Sequence, residues 1–267
     1  LYLQVIWIDF LGKEYKMNTP VINFHSHVGR SGKDAMDDTV DSYLRAMDDA
    51  GIDKSCINCI FYGDAKRCND IAAEFVDKNP DRFIGVAFVT PHYPKEAISE
   101  LERCFDQLDM KFLKIFPDYF GKLVGDPGYF PIFEWINDRG LAVMSHATFD
   151  FDPPGTTIPK RFNDLSKRFP QIKWVLAHEG SNMREGSMEV ARTNPNVYIE
   201  TCASGNSLGA IKFAVDRAGA DRVLFGTDSP LHDARYELGK VVTANISDED
   251  KQKILGLNAI KLLGLDD

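Results

Sequence analysis

Positive charge is scarce in this sequence. Its 31 Lys and Arg stand against 40 Asp and Glu, a net charge of −9 over 267 residues. Nucleic-acid binding is excluded as a main role, because phosphate contacts need a basic face. Docking on an anionic membrane surface is excluded for the same reason. A small acidic ligand is not, since a few arginines can reverse the sign inside one pocket. Cysteine is sparse as well: five residues, an odd count, with no secretory signature. That argues against a disulfide framework and for a reducing cytoplasm. Cys56 and Cys59 in "CINC" look like half of a zinc ribbon, but no second pair follows. Residues three apart on a strand face opposite ways, so they read as buried thiols. Long apolar runs are also missing. "LYLQVIWIDF" at the start is too short for a membrane span and has no basic segment before it. "KMNTPVINFHSH" reads as a natural beginning, with Met17 as initiator. Residues 1–16 are expected to be an N-terminal extension, either a non-native leader or an added strand or hairpin turning near Gly12.

What is present is ordinary globular composition, 44% hydrophobic and 27% charged. Eight short apolar runs recur at fairly even intervals: "VINFH", "SCINCIFY", "RFIGVAFV", "FLKIF", "LAVMSH", "IKWVLAH", "NVYIE" and "RVLFGTD". Segments with helical spacing and charged faces lie between them. "TVDSYLRAMDDAG" has Asp38 before it as N-cap and Gly51 as its stop. Pro94 suits the first turn of "PKEAISELERCFDQL". Strands alternating with amphipathic helices predict βαβ units and a parallel sheet. Eight units over residues 17–267 predict a (β/α)8 TIM barrel in one domain. An open doubly wound sheet should carry a Gly-rich phosphate loop after its first strand, and "HSHVGRSGK" is neither such loop nor a P-loop. "DFDPPGTTIPK" is a loop long enough to shape a site mouth. The tail "SDEDKQKILGLNAIKLLGL" opens with a capping box, Ser247 with Asp250, and predicts a closing C-terminal helix.

All six histidines fall at or just past C-terminal strand ends: His25, His27, His92, His146, His178 and His232. Core packing gives no reason for that clustering, whereas barrel active sites sit on that rim. Asp228 joins them directly after an apolar run, and a bare buried carboxylate is costly unless paired or metal-bound. Imidazole with carboxylate suits zinc, with manganese or iron as substitutes. Each signal alone has a bland reading. An HxH pair can be hydrogen-bonded structure, His146 a core residue, and "GTD" a turn with an N-cap. The conjunction, in this order, favours a metal.

"NFHSH", "VMSHA", "VLAHEG" and "VLFGTDSP" resemble the strand 1, 5, 6 and 8 motifs of the amidohydrolase superfamily. More narrowly, they resemble its amidohydrolase-related branch, which includes metal-dependent hydrolases, lactonases and decarboxylases such as aminocarboxymuconate semialdehyde decarboxylase. "ILGLNAIKLLGL" resembles that branch's closing helix. The likeness runs from about Val21 to Leu265. It implies that His25, His27, His146 and Asp228 surround one divalent metal. His178 would be the acid/base residue beside a metal-activated water, and Asp228 both ligand and base. Binuclear members carry a carboxylated strand 4 Lys that bridges two metals. Lys114 stands at about that place, but Phe116 replaces the His that often follows it. An uncarbamylated Lys114, binding a substrate carboxylate or paired within the barrel, and one metal are therefore expected, with a second metal only if Lys114 is carbamylated. Asn23 stands where an Asp is usual.

On the substrate side, Arg30 could grip a carboxylate with two prongs. Arg184 could do the same or sit solvated on its helix. His92, Tyr119, Cys202 and His232 could line the pocket, and Phe116 with Tyr119 suggests that it is partly aromatic. The leading expectation is metal-dependent hydrolysis of a small amide, ester or lactone. The alternative is non-oxidative decarboxylation of a small unsaturated or aromatic acid. A ligand-binding barrel without turnover is disfavoured by the full histidine set. The expected partner is a small molecule, with a homodimer left open.

Overall fold

The eight apolar runs become eight parallel strands. The computed structural model describes residues 6–8, 14–16, 19–29, 39–147, 159–179, 184–203 and 209–265. A short antiparallel pair, β1 (Ile6–Ile8) and β2 (Glu14–Lys16), precedes the barrel. The barrel strands are β3 (Ile22–His27), β4 (Lys54–Asn58), β5 (Phe83–Phe88) and β6 (Phe112–Ile115), then β7 (Ala142–His146), β8 (Lys173–Ala177), β9 (Val197–Glu200) and β10 (Val223–Leu224). They pair in chain order from β3 to β10. Closure comes from backbone bonds: Phe24 N–H donates to the Phe225 carbonyl at 2.8 Å, and His27 N–H to Ser229 at 2.7 Å. The helices between them are α1 (Val40–Ala50), α2 (Ala65–Lys78), α3 (Pro94–Asp106), α4 (Phe130–Arg139), α5 (Phe162–Arg168), α6 (Arg184–Thr193), α7 (Ala210–Ala218) and α8 (Ala234–Val242). This is the (β/α)8 TIM barrel that the alternation predicts.

The barrel strands are buried on both faces apart from half-buried Lys54, Lys173 and Tyr198, which is why the runs read as nearly continuous apolar stretches. Inside the barrel, Ile22, Phe24, Cys56, Val86, Phe112 and Met144 form one cluster. Phe24 stacks on Phe112 with centroids 4.5 Å apart. Ala259 and Leu262 of the closing helix join this cluster, and Lys173, at the start of β8, donates to the Leu262 carbonyl. The closing helix therefore plugs the N-terminal end of the barrel, leaving the opposite rim for chemistry. The outer strand faces pack against the helices, with Trp174, Leu113 and Val143 at 0% exposure.

Three local expectations change. The N-cap of α1 is Thr39, not Asp38: Thr39 and Ser42 exchange side-chain and backbone hydrogen bonds in a capping box. Gly51 does end that helix in the left-handed region, at φ 73°. The tail is two helices, α9 (Asp248–Gln252) and α10 (Asn258–Leu263), joined by a π turn over 253–257. There the Ile254 carbonyl accepts from Phe225 N–H, and Asn258 donates to the Ala220 and Val223 carbonyls, so barrel contacts override the regular helix. Ser247 accepts from Asp250 N–H, which is half of the expected box. Most of the loop over 150–160 lies outside the described residues, as do Arg30 and the expected turn near Gly12.

Candidate metal centre at the C-terminal rim

The geometry begins with an irregularity in β3. Strict alternation would put Ile22, Phe24 and residue 26 on the inner face and both histidines outside. A register shift between Asn23 and Ser26 breaks that alternation and turns the histidines toward the rim. Asn23 pins the bulge. Its Oδ1 accepts from Thr227 N–H at 2.9 Å and His25 N–H at 3.2 Å, and its Nδ2 donates to Thr227 Oγ1 at 2.9 Å. The amide uses both ends, which an Asp could not do, so Asn23 ties the His25 strand to the Asp228 turn.

Opposite, the strand ends adopt unusual backbone. His178 (φ 62°), Glu179 (φ 51°), Ala203 (φ 49°) and Asp228 (φ 57°) all sit in the left-handed region without being glycine. Such conformations cost energy and gather where the surroundings over-determine a side chain's aim. Asp228 thereby presents Oδ1 to both β3 histidines: 2.9 Å from His27 Nε2 and 3.5 Å from His25 Nε2. The His178 ring lies 5.0 Å from the rings of both His25 and His146. The structure thus brings His25, His27, His146, His178 and Asp228 together.

Two carboxylates complete the centre, and the sequence does not announce either. Glu200 Oε2, at the end of β9, is 2.8 Å from His25 Nδ1. Both Asp118 oxygens lie within 3.1 Å of His146 Nδ1. A carboxylate there accepts, so the proton of each ring sits on Nδ1 and the Nε2 lone pair faces inward. His27 Nδ1 meets Asn58 Oδ1 at 2.9 Å. Gly226 makes room for this arrangement, because a Cβ there would overlap the Glu200 carboxylate and press within 2.9 Å of His25 Cβ.

The electrostatics suit ligation. Burial, helped by the Lys114 charge, holds His25 well below the usual imidazole range. Burial and the neighbouring His146 do the same for His178, and burial lowers His146. Neutral imidazole is the form that binds metal. Burial pushes Asp228 up, but the His27 hydrogen bond and the surrounding histidines outweigh it and hold the carboxyl far below the usual range. Neutral inward lone pairs converging beside an ionised carboxylate fit a divalent cation. Lys114 is wholly buried, and its Nζ lies 3.1 Å from His25 Nε2, the atom such a cation would use. Burial lowers its pKa to about 8.

The remaining candidates spread outward. Tyr119, 57% exposed, stacks on buried Phe116 at 5.2 Å and meets the His146 ring edge-on at 5.1 Å. His232 is half exposed, with Nε2 3.7 Å from Asp228 Oδ2. His92 is not brought in: its ring bonds the Phe120 carbonyl at the periphery. Arg184 is engaged with buried Glu179, its Nε 3.2 Å from Oε2. Cys202 lies beneath the centre, its Sγ 3.1 Å from His25 Nδ1 and 3.2 Å from His178 Nδ1.

The fold and the site define a TIM barrel that gathers histidines and an aspartate on its C-terminal rim. The particular family follows from comparison: a family model described as Amidohydrolase matches residues 26–265, and the chain belongs to that family. The 2-amino-3-carboxymuconate-6-semialdehyde decarboxylase of Dictyostelium discoideum is 29% identical, with 76% of this chain and 67% of that protein covered. The gamma-resorcylate decarboxylase of a Polaromonas strain is 25% identical, with 75% and 76% covered. Among solved structures, a 5-carboxyvanillate decarboxylase from Sphingomonas paucimobilis superposes with a TM-score of 0.77 at 22% identity, covering 92% of this chain and 99% of that one. A dihydroxybenzoic acid decarboxylase from Polaromonas, solved with bound manganese and 2-nitroresorcinol, gives 0.78 at 21% identity, covering 93% and 98%. The expectation of an amide, ester or lactone hydrolase is overturned here, because these relatives are decarboxylases, that is lyases. The preference for zinc finds no specific support beside a neighbour that holds manganese. Among the described residues, no helix is long and apolar enough to cross a membrane.

Proposed function

We propose that this chain is a metal-dependent, non-oxidative decarboxylase of a small planar carboxylic acid, unsaturated or aromatic. The observation that carries it is the flat aromatic shelf of Phe116 and Tyr119, set edge-on against His146 of the candidate centre. A planar acid stacked there would have its carboxylate beside the inward histidine nitrogens. The 29% identical relative, a decarboxylase of an unsaturated amino acid semialdehyde by its name, supports the same reading.

His25, His27, His146 and Asp228 would hold the ion, a divalent transition metal with manganese foremost. When bound, such an ion supplies Lewis-acid polarisation of the substrate's oxygens and orients them. The rest falls to the chain. Phe116 and Tyr119 hold the ring plane, and Glu200 and Asp118 keep the two histidines aimed. Loss of CO2 breaks a carbon–carbon bond and leaves its electron pair on carbon, which then takes one proton. We assign its delivery to His178, whose ring lies 5.0 Å from the rings of both His25 and His146; the proton is drawn from solvent and passed to the carbon, which leaves the imidazole neutral again. Lys114 and Arg30 are the candidate cations for a second acidic group. No cysteine among the described residues forms a disulfide, which suits a reducing compartment such as the cytoplasm.

The test is CO2 release from a panel of hydroxybenzoates and unsaturated dicarboxylates by protein reconstituted with manganese, run beside a panel of lactones. Metal-dependent CO2 release without lactone hydrolysis is expected. Lactone hydrolysis with no CO2 from any acid would sink the reading.

A further inference from the structure

The proposed centre uses only one side of His25. The other side faces a second group of donors. Cys202 Sγ lies 3.1 Å from His25 Nδ1, 3.2 Å from His178 Nδ1 and 3.0 Å from Glu200 Oε2. Glu200 Oε2 is itself 2.8 Å from His25 Nδ1. Four ligand atoms, two nitrogens, one oxygen and one sulfur, all lie within 4.8 Å of one another, and all four residues are buried. The first centre draws on nitrogen and oxygen alone, whereas this group adds a sulfur.

We infer that His25 Nδ1, His178 Nδ1, Glu200 and Cys202 form a second, closed metal site, specific for thiophilic divalent ions of the zinc and cadmium kind. Thiolate selects such ions over manganese, which prefers oxygen and water. Four buried protein donors in a compact group match a closed tetrahedral site with no position left for substrate. With metal–sulfur and metal–nitrogen bonds of about 2.3 and 2.0 Å, adjacent donors stand roughly 3.3–3.6 Å apart. The hydrogen-bonded contacts here are shorter, so the donors must spread by a few tenths of an ångström each.

The balance of the step is simple. The incoming ion replaces two protons, one from His25 Nδ1 and one from the Cys202 thiol, and both leave to solvent, while His178 binds through Nδ1 as the tautomer that carries its proton on Nε2. Glu200 then trades its hydrogen bonds from His25 and Cys202 for a bond to the ion. His25 becomes shared between the two centres, and its aim toward the first no longer depends on a proton held by Glu200. A thiophilic ion in this site would therefore disturb the first centre, so excess zinc or cadmium should inhibit a manganese-loaded protein.

X-ray absorption at the zinc edge tests the site without relying on turnover. Wild-type protein saturated with zinc should hold two equivalents and show a sulfur shell at about 2.3 Å, one sulfur for every two ions. Cys202→Ser should lose the sulfur shell and keep one equivalent, with Cys202→Ala as the substitute if the serine variant does not fold. A sulfur shell that persists in either variant overturns the inference. So does a saturated wild type with one equivalent and no sulfur, an outcome that leaves the reaction proposed above intact.

Discussion

His25 Nδ1 lies 2.8 Å from Glu200 Oε2, although the two residues are 175 positions apart in the chain. Both are wholly buried. The carboxylate also accepts from the backbone N–H groups of His178 and Cys202, so its charge is satisfied where it sits. It is thus a fixed acceptor that decides which nitrogen of His25 carries the proton.

Glu200→Gln should expose that role. The amide can still accept, but it lacks the charge that anchors the Nδ1 proton. Affinity for manganese should fall about 10–100-fold, the usual effect of losing such a supporting partner. Chelator competition measures it, and an unchanged affinity would mean that Glu200 does not orient His25.

Gly226→Ala should reach the same centre by a different route. An added Cβ overlaps the Glu200 carboxylate and crowds His25 Cβ, and neither neighbour has space to retreat. Overpacking of this kind costs about 1–3 kcal/mol. Urea denaturation should show that loss, together with weakened metal binding.

These two predictions mark where the sequence was legible and where it was not. The eight strands could be read because strands buried on both faces leave runs such as "RFIGVAF" that no surface position interrupts. His25, His27, His146, His178 and Asp228 stood out because polar residues closing an apolar run are conspicuous. Glu200 closes "NVYIE" too, but with no histidine beside it. A lone glutamate at a strand end also fits solvent, and only the fold sets it beside His25. Asp118 lies in a loop, in "FPDYF", where acidic residues are commonplace. The β3 bulge was hidden too: the HxH spacing suggests a regular strand, whereas the inward aim of the histidines depends on breaking it. The choice between hydrolysis and decarboxylation was not legible at all, since both draw on one ligand set.

Lys114→Met should stabilise the metal-free protein. Burial lowers the Lys114 pKa from 10.5 to about 8. Between those values the unfolded chain holds a proton that the native state has released, so wild-type stability rises with pH across that window. Below about 8 the full cost is present, up to roughly 3 kcal/mol at 1.4 kcal/mol per pH unit. The variant should gain that much at pH 7 and lose its advantage toward pH 10, as read from urea midpoints.

Glu179→Gln should show the opposite slope. Burial raises the Glu179 pKa from 4.5 to about 8, despite the Arg184 guanidinium beside it. Across that window the native state keeps a proton that the unfolded chain has lost, so wild-type stability falls as pH rises. Glutamine does not titrate. The variant's advantage should therefore grow from pH 5 to pH 8, by at most about 1.4 kcal/mol per pH unit, and level off above. Equal slopes for the two proteins would show that Glu179 titrates normally.

Tyr119→Leu should separate substrate holding from the rest of the centre. Tyr119 is the outer leaf of the shelf, 57% exposed, and its ring lies within 15° of parallel to Phe116. It contacts His146 only by ring edge, and Asp118 holds that histidine independently. Losing one aromatic face costs about 0.5–1.5 kcal/mol, or roughly 2- to 12-fold in binding. KM for a planar acid should rise by that factor while kcat and manganese content stay close to wild type. A drop in kcat with KM unchanged would move Tyr119 from holding the ring to the bond-breaking step, and the shelf would no longer explain the preference for planar acids.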